Sequence, residues 1–334
     1  MQNPPMQQNQ AHVSRRQAVV TLAGLATSPL AFAQTPSYTD DTWQDPRRQR
    51  AVPVRIRWPQ GAAPAGGWPV VMYSHGLGSS REGGEVWGSA WANAGFVVLH
   101  LQHAGSDFDA ARAVASSFQD RAALRRLGGP EQHLARWQDV VFALDEIARQ
   151  KTIDKAWRDA RIDAIGMAGH SFGAQTTLGV GGQSYPGHPG IKDSRIAALI
   201  VFSPRVPAQG DAVQAYAGVI RPTLCMTGTL DDDVLSNGAT PDKRAAVFAA
   251  LPKGNKAMLL LKDADHMTFG GVTGRAAGIL PRAAITTQLQ PQHHALVARI
   301  TTDWWRAHLM GEDAAKGQLK SPAGLGSADS WQVG

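Results

Sequence analysis

Gly169-His170-Ser171-Phe172-Gly173 lies between a strand-like run, Arg161–Ala168, and a helix-compatible one, Ala174–Leu178. Two glycines bracketing a serine at such a junction imply a sharp strand-to-helix turn with little room for side chains at 169 and 173. The turn lifts the Ser171 hydroxyl clear of a sheet, and the following helix aims its amino-terminal N–H groups at any negative charge that develops there. A fold with such a turn needs a parallel strand followed immediately by a covering helix.

The rest of the chain repeats that unit. Apolar runs of four to eight residues recur at Pro69–Tyr73, Phe96–Leu101, Ile162–Ala168, Ile196–Phe202, Thr223–Met226 and Ala257–Leu261. Near-continuous apolar character marks strands covered on both faces. A further strand, Val52–Trp58, alternates as one buried face requires. Helical patterns fall at Arg81–Ala94, His133–Lys151, Gln175–Gly179, Pro241–Leu251 and Gln292–Leu309. Strands alternating with helices predict an α/β fold, a mostly parallel central sheet with helices on both faces. The expected catalytic domain spans 51–310, between a polar tail at 34–50 and a carboxy-terminal tail at 311–334. Residues 104–130, with Arg112, Arg121, Arg125 and Arg126, interrupt the alternation where such folds place ligand loops; they read as a pocket cover or a solvated surface excursion.

A serine hydroxyl is a weak nucleophile until a base takes its proton. His266, one of eleven histidines, stands just beyond the apolar run Leu259–Leu261 and has the chain order expected of that base. The orienting acid belongs after the preceding strand, where Asp231, Asp232 and Asp233 are adjacent. Asp231 is favoured as the earliest after the strand's turn, then Asp233, then Asp232. The order Ser171, Asp231, His266 is that of the α/β-hydrolase fold. The second oxyanion donor besides the Phe172 N–H is expected on the turn after Val70–Tyr73, at Leu77. Gly76 gives that turn flexibility, and His75 reads as its brace. His100-x-x-His103 with Asp107 and Asp109 is the nearest approach to a metal cluster. The single Cys225 excludes cysteine-based metal sites and intrachain disulfides, and reads as a buried structural thiol. No metal or cofactor is expected.

These motifs, Ser74-His75-Gly76-Leu77-Gly78, Gly169-His170-Ser171-Phe172-Gly173, Met226-Thr227-Gly228-Thr229 with Asp231, and Asp265-His266, resemble the α/β-hydrolase superfamily. The resemblance is strongest to the branch holding dienelactone hydrolases, platelet-activating-factor acetylhydrolase and bacterial polyester hydrolases. It implies oxyanion donors at Leu77 and Phe172 and a serine esterase cleaving carboxylic esters, with short-chain acyl groups expected. Ser171 stands where typical dienelactone hydrolases have cysteine, and the lone cysteine cannot form the disulfide of secreted polyester hydrolases. A polyester hydrolase, amidase or acyltransferase would use the same triad; a binding protein retaining the fold would use none of it.

Ser14-Arg15-Arg16 precedes a short apolar stretch that ends in Ala31-Phe32-Ala33. This is the pattern of a cleavable twin-arginine signal, so residues 1–33 are expected to engage that export machinery and leave a bacterial protein in the periplasm or outside the cell. Their removal lowers the net charge from +6 to +4. So small and scattered an excess argues against nucleic-acid binding. No later segment is long enough for stable membrane insertion, and the expected partner is a small-molecule ester.

Overall fold

The computed structural model describes residues 1, 38–115, 117, 120–274 and 280–334. Six parallel strands form the middle of a nine-stranded sheet. In chain order the strands are β1 (Tyr38–Asp45), β2 (Arg50–Arg57), β3 (Trp68–Ser74), β4 (Val97–Leu101), β5 (Ala160–His170), β6 (Ile196–Phe202), β7 (Thr223–Leu230), β8 (Lys256–Asp265) and β9 (Ser330–Val333). Their spatial order is β1-β2-β4-β3-β5-β6-β7-β8-β9, with antiparallel pairing only at the β1–β2, β2–β4 and β8–β9 junctions. All strands from β4 to β8 therefore end on one edge, where open α/β sheets collect ligand-binding residues.

Side-chain alternation divides the core between the two faces. On β3, Val70 and Met72 enter one cluster while Val71 and Tyr73 enter the other; on β6, Leu199 and Val201 oppose Ala198, Ile200 and Phe202. The first cluster is covered by α4 (Pro130–Ile153), α5 (Phe172–Val180) and α7 (Pro241–Ala250) through Trp137, Val140, Leu178 and Val247. The second is covered by α1 (Glu85–Asn93) and α8 (Ala284–Trp305) through Trp87, Trp91, Val297 and Ile300. Shorter helices α2 (Phe108–Val114), α3 (Arg121–Arg126), α6 (Ala212–Tyr216) and α9 (Asp313–Gln318) fill the connections. Among the described residues no helix is long and apolar enough to cross a membrane.

Both expected tails contribute to the sheet. Residues 38–45 form β1 and residues 330–333 form β9, each an edge strand held by backbone pairing. Their sequences are polar because an edge strand buries little; Trp43 is the inward anchor of β1, and Arg55 grips Asp40 across the β1–β2 pair at 2.8 Å. The segment 104–130 contains α2 and α3, which the sequence pattern did not reveal. On α4, Trp137, Val140, Leu144 and Ile147 face the core together with the buried Arg136 and Asp139, while Leu134 is exposed. The expected leader at 1–33 lies outside the described residues apart from Met1, as do 34–37 of the amino-terminal tail.

Several fully buried histidines accompany this sheet. Burial, followed by the charge of Arg57, holds His100 at about 3, and burial with Arg136 holds His103 at about 4, against an ordinary 6.5. The unfolded chain binds protons near 6.5 that the native state refuses. Stability from these groups is therefore complete above about pH 6.5 and declines as pH falls toward 4. The Tm is expected to drop between pH 7 and 4.5; an unchanged Tm over that interval would contradict the burial of neutral imidazoles.

Candidate active site

Ser171 occupies the turn between β5 and α5 with φ 56° and ψ −111°, a left-handed conformation that a non-glycine residue adopts only when its surroundings impose it. The surroundings are close backbone contacts. A Cβ on Gly173 would collide with the carbonyl of Ser74 at the end of β3, and one on Gly169 would collide with the carbonyl of Gly173. The Ser171 N–H donates to Phe202 O at 2.9 Å, which ties the turn to β6.

The ends of β7 and β8 bring Asp231 and His266 together, with His266 Nδ1 2.8 Å from Asp231 Oδ1. Asp231 is completely buried. Burial alone would raise its carboxyl, but Arg244 and His266 outweigh that and hold it at about 2. Facing an ionised carboxylate, His266 carries its proton on Nδ1 and leaves Nε2 free to accept. Burial first, then Arg244, pushes the imidazole below its ordinary value, with Asp231 acting in the opposite direction. Thr227 Oγ1 donates to the second Asp231 oxygen at 2.8 Å. Of the neighbouring acids, Asp233 accepts from the Leu235 and Gly238 amides instead, and Asp232 is exposed.

Ser171 and His266 share the wall of an apolar cavity of about 290 Å³, alongside Leu77, Phe108, Val234 and Met267. No hydrogen bond joins Ser171 Oγ to His266 in this structure. A second, more polar cavity of about 160 Å³ also touches Ser171, bounded by Phe172, Gln175, Arg205 and, from the 104–130 segment, Arg125 and Gly128. Arg125 also donates to Leu235 O at 2.8 Å and Arg121 to Ser236 Oγ at 3.1 Å, so these two arginines clasp the loop after β7. Leu77 and Phe172 line the space around Ser171, and among the described residues neither amide has a hydrogen-bond acceptor. His75 Nδ1 lies 2.6 Å from Gly76 O, and its Nε2 accepts the His103 N–H at 3.1 Å.

A second Ser–His–Asp arrangement lies beneath the first. Ser74 Oγ is 2.9 Å from His103 Nε2, and His103 Nδ1 is 3.0 Å from Asp139 Oδ2. All three side chains are inaccessible, and Arg48 and Arg50 neutralise Asp139 at 2.8 and 2.7 Å. The histidines of the apparent metal motif thus diverge: His103 joins this chain, while His100 Nδ1 faces Gly83 O at 3.0 Å. Asp107 caps α2, and among the described residues no group of three metal-ligating side chains assembles. Cys225 is buried in β7, its thiol pushed up to about 12 by burial.

Two participants were not foreseen from sequence. Arg244 Nε lies 2.9 Å from Asp231 Oδ1 and donates to Asp231 O at 2.8 Å; its place on the buried 244–247–250 stripe of α7 was the available signal. His170 lies 3.0 Å through Nε2 from the carbonyl of His266. It thereby anchors the backbone that carries the imidazole.

A sequence profile for platelet-activating factor acetylhydrolase, isoform II, matches residues 50–127. A comparison with curated proteins finds no match. The fold is similar to that of dienelactone hydrolase from Anabaena variabilis, with a TM-score of 0.51 and 17% identity, covering 82% of this chain and 99% of that one. The likeness shows that the chain has an α/β-hydrolase fold, and the strand ends of its sheet carry Ser171 beside the hydrogen-bonded His266–Asp231 pair. Replacing Gly173 with alanine drives residue 173 away from the Ser74 and His75 carbonyls. It should cost about 2 kcal/mol or more in chemical denaturation and remove most turnover; wild-type stability would contradict the contact.

Proposed function

We propose that the protein hydrolyses short-chain carboxylic esters, with Ser171 as nucleophile, His266 as base and Asp231 as the group that orients it. The observation that carries this reading is the shared cavity wall of Ser171 and His266, backed by the 2.8 Å His266–Asp231 contact. His266 Nε2 takes the Ser171 proton as Oγ attacks the ester carbonyl. The Leu77 and Phe172 N–H groups receive the oxyanion, and His266 then protonates the departing alcohol. Water, activated by the same imidazole, releases the acid. The Ser74–His103–Asp139 chain has the same residue types without access, so its role is to brace. An apolar cavity of about 290 Å³ is at the small end for ligand pockets, which favours short acyl groups. We also propose export through the twin-arginine route, supported by Arg15, Arg16 and Ala31-Phe32-Ala33; the purified periplasmic protein would then begin at Gln34.

On a panel of p-nitrophenyl esters, kcat/KM should be highest from acetyl to butyryl, and rising activity through long acyl chains would contradict the pocket argument. Ser171→Ala should lower turnover at least about 1,000-fold, whereas Ser74→Ala should stay within about 10-fold of the parent. The reverse ranking would move the nucleophile to Ser74. His266 must be neutral to act, and its pKa lies below the ordinary 6.5. The acid limb of kcat/KM should therefore have its midpoint below pH 6.5, with activity lost as pH falls; a midpoint above 7 would rule out this imidazole as the base.

A further inference from the structure

Arg136, on α4, is a fully buried cation with no carboxylate in ion-pair contact among the described residues. Burying a guanidinium without a paired acid is costly unless its donors are all used. Here each nitrogen has an acceptor: Nε donates to Ser106 Oγ at 2.8 Å, Nη1 to His75 O at 2.7 Å and Nη2 to Ser106 O at 3.3 Å. The plane of the group lies over the Phe172 ring, 4.1 Å from its centroid. Ser106 O also accepts the Gly78 N–H at 3.0 Å. Arg136 therefore touches, directly or through Ser106, both ends of the His75–Gly78 turn and the residue after Ser171.

The turn's internal hydrogen bonds explain why that matters. Because His75 Nε2 accepts from the His103 amide, its proton sits on Nδ1 and donates to Gly76 O. The carbonyl and N–H of a trans peptide point in opposite directions. Holding Gly76 O against the His75 ring thus aims the Leu77 N–H away from it. Burial, and then the charge of Arg136, keeps His75 well below its ordinary pKa, which preserves the one tautomer that makes this arrangement.

We propose that Arg136 is a positioning residue for the oxyanion site: it locks the Leu77 and Phe172 amides through His75, Ser106 and the Phe172 ring, and adds a buried positive charge behind them. The inference rests on Ser171 being the nucleophile. Its consequence is a contribution realised where negative charge develops, and so in kcat more than in KM.

Arg136→Met and Arg136→Lys, checked for folding by circular dichroism and thermal melting, test it with p-nitrophenyl acetate and a phenylboronic acid, which forms a tetrahedral adduct. Arg136→Met should lower kcat about 100-fold, leave KM within about 2-fold and weaken boronate inhibition by about the same factor as kcat. Lysine keeps the charge but cannot hold His75 O and Ser106 together, so Arg136→Lys should recover partway, to about 10-fold below the parent. Should the methionine variant fail to fold, the lysine variant decides alone. Parental kcat and boronate affinity in either folded variant, or a loss confined to KM, would overturn the assignment. Parallel assay of Ser171→Ala separates the two levels. An inactive Ser171→Ala beside unaffected Arg136 variants removes only the role of Arg136, while an active one removes the nucleophile and this proposal with it.

Discussion

The close approach of Gly173 to the carbonyl of Ser74 is the contact on which the site depends. It joins the ends of β3 and β5 at a separation that no side chain at 173 would permit. Parallel pairing of β3 with β5, and of β5 through β8, then sets the heights of the other strand ends. Ser171, the turn carrying Leu77, Asp231 and His266 are consequences of that alignment. The positive φ of Ser171 is the local strain the arrangement imposes, and the ladders on both sides of β5 resist its relaxation.

Two Ser–His–Asp sets in one molecule show how little residue identity decides alone. Ser74, His103 and Asp139 have the more complete hydrogen bonding, yet all are sealed from solvent and Asp139 is shared with two arginines. Ser171 and His266 meet at a cavity, and among the described residues Asp231 pairs with one arginine, Arg244. A nucleophile must reach substrate, so access and backbone geometry separate a reacting set from a bracing one. The buried set also reaches the turn: the His103 N–H donates to His75 Nε2, and His75 Nδ1 lies against Gly76 O, on the peptide that carries the Leu77 N–H.

What the sequence disclosed follows the range over which each constraint acts. The glycines around Ser171 and the apolar runs are local, so the elbow and the parallel core were readable, as was the chain order of Ser171, Asp231 and His266. The three consecutive aspartates became distinguishable only when β7 and β8 aligned. The contacts of Arg136 and Arg244 gave no signal in the sequence, because their carbonyl partners His75 O and Ser203 O are 61 and 41 residues away. The edge strands β1 and β9 were read as tails because pairing rather than burial holds them, and pairing leaves almost no apolar pattern. The pairing of Ser74 with His103 was equally hidden, since nothing in Ser74-His75-Gly76 names a partner 29 residues on.

The central claim is that the accessible serine at the strained turn is the one that reacts. Covalent labelling with a fluorophosphonate, followed by intact-mass measurement and peptide mapping, addresses it without knowledge of the natural substrate. The account predicts a single adduct on the peptide containing Ser171. An adduct on Ser74, or undiminished labelling of Ser171→Ala, would contradict it.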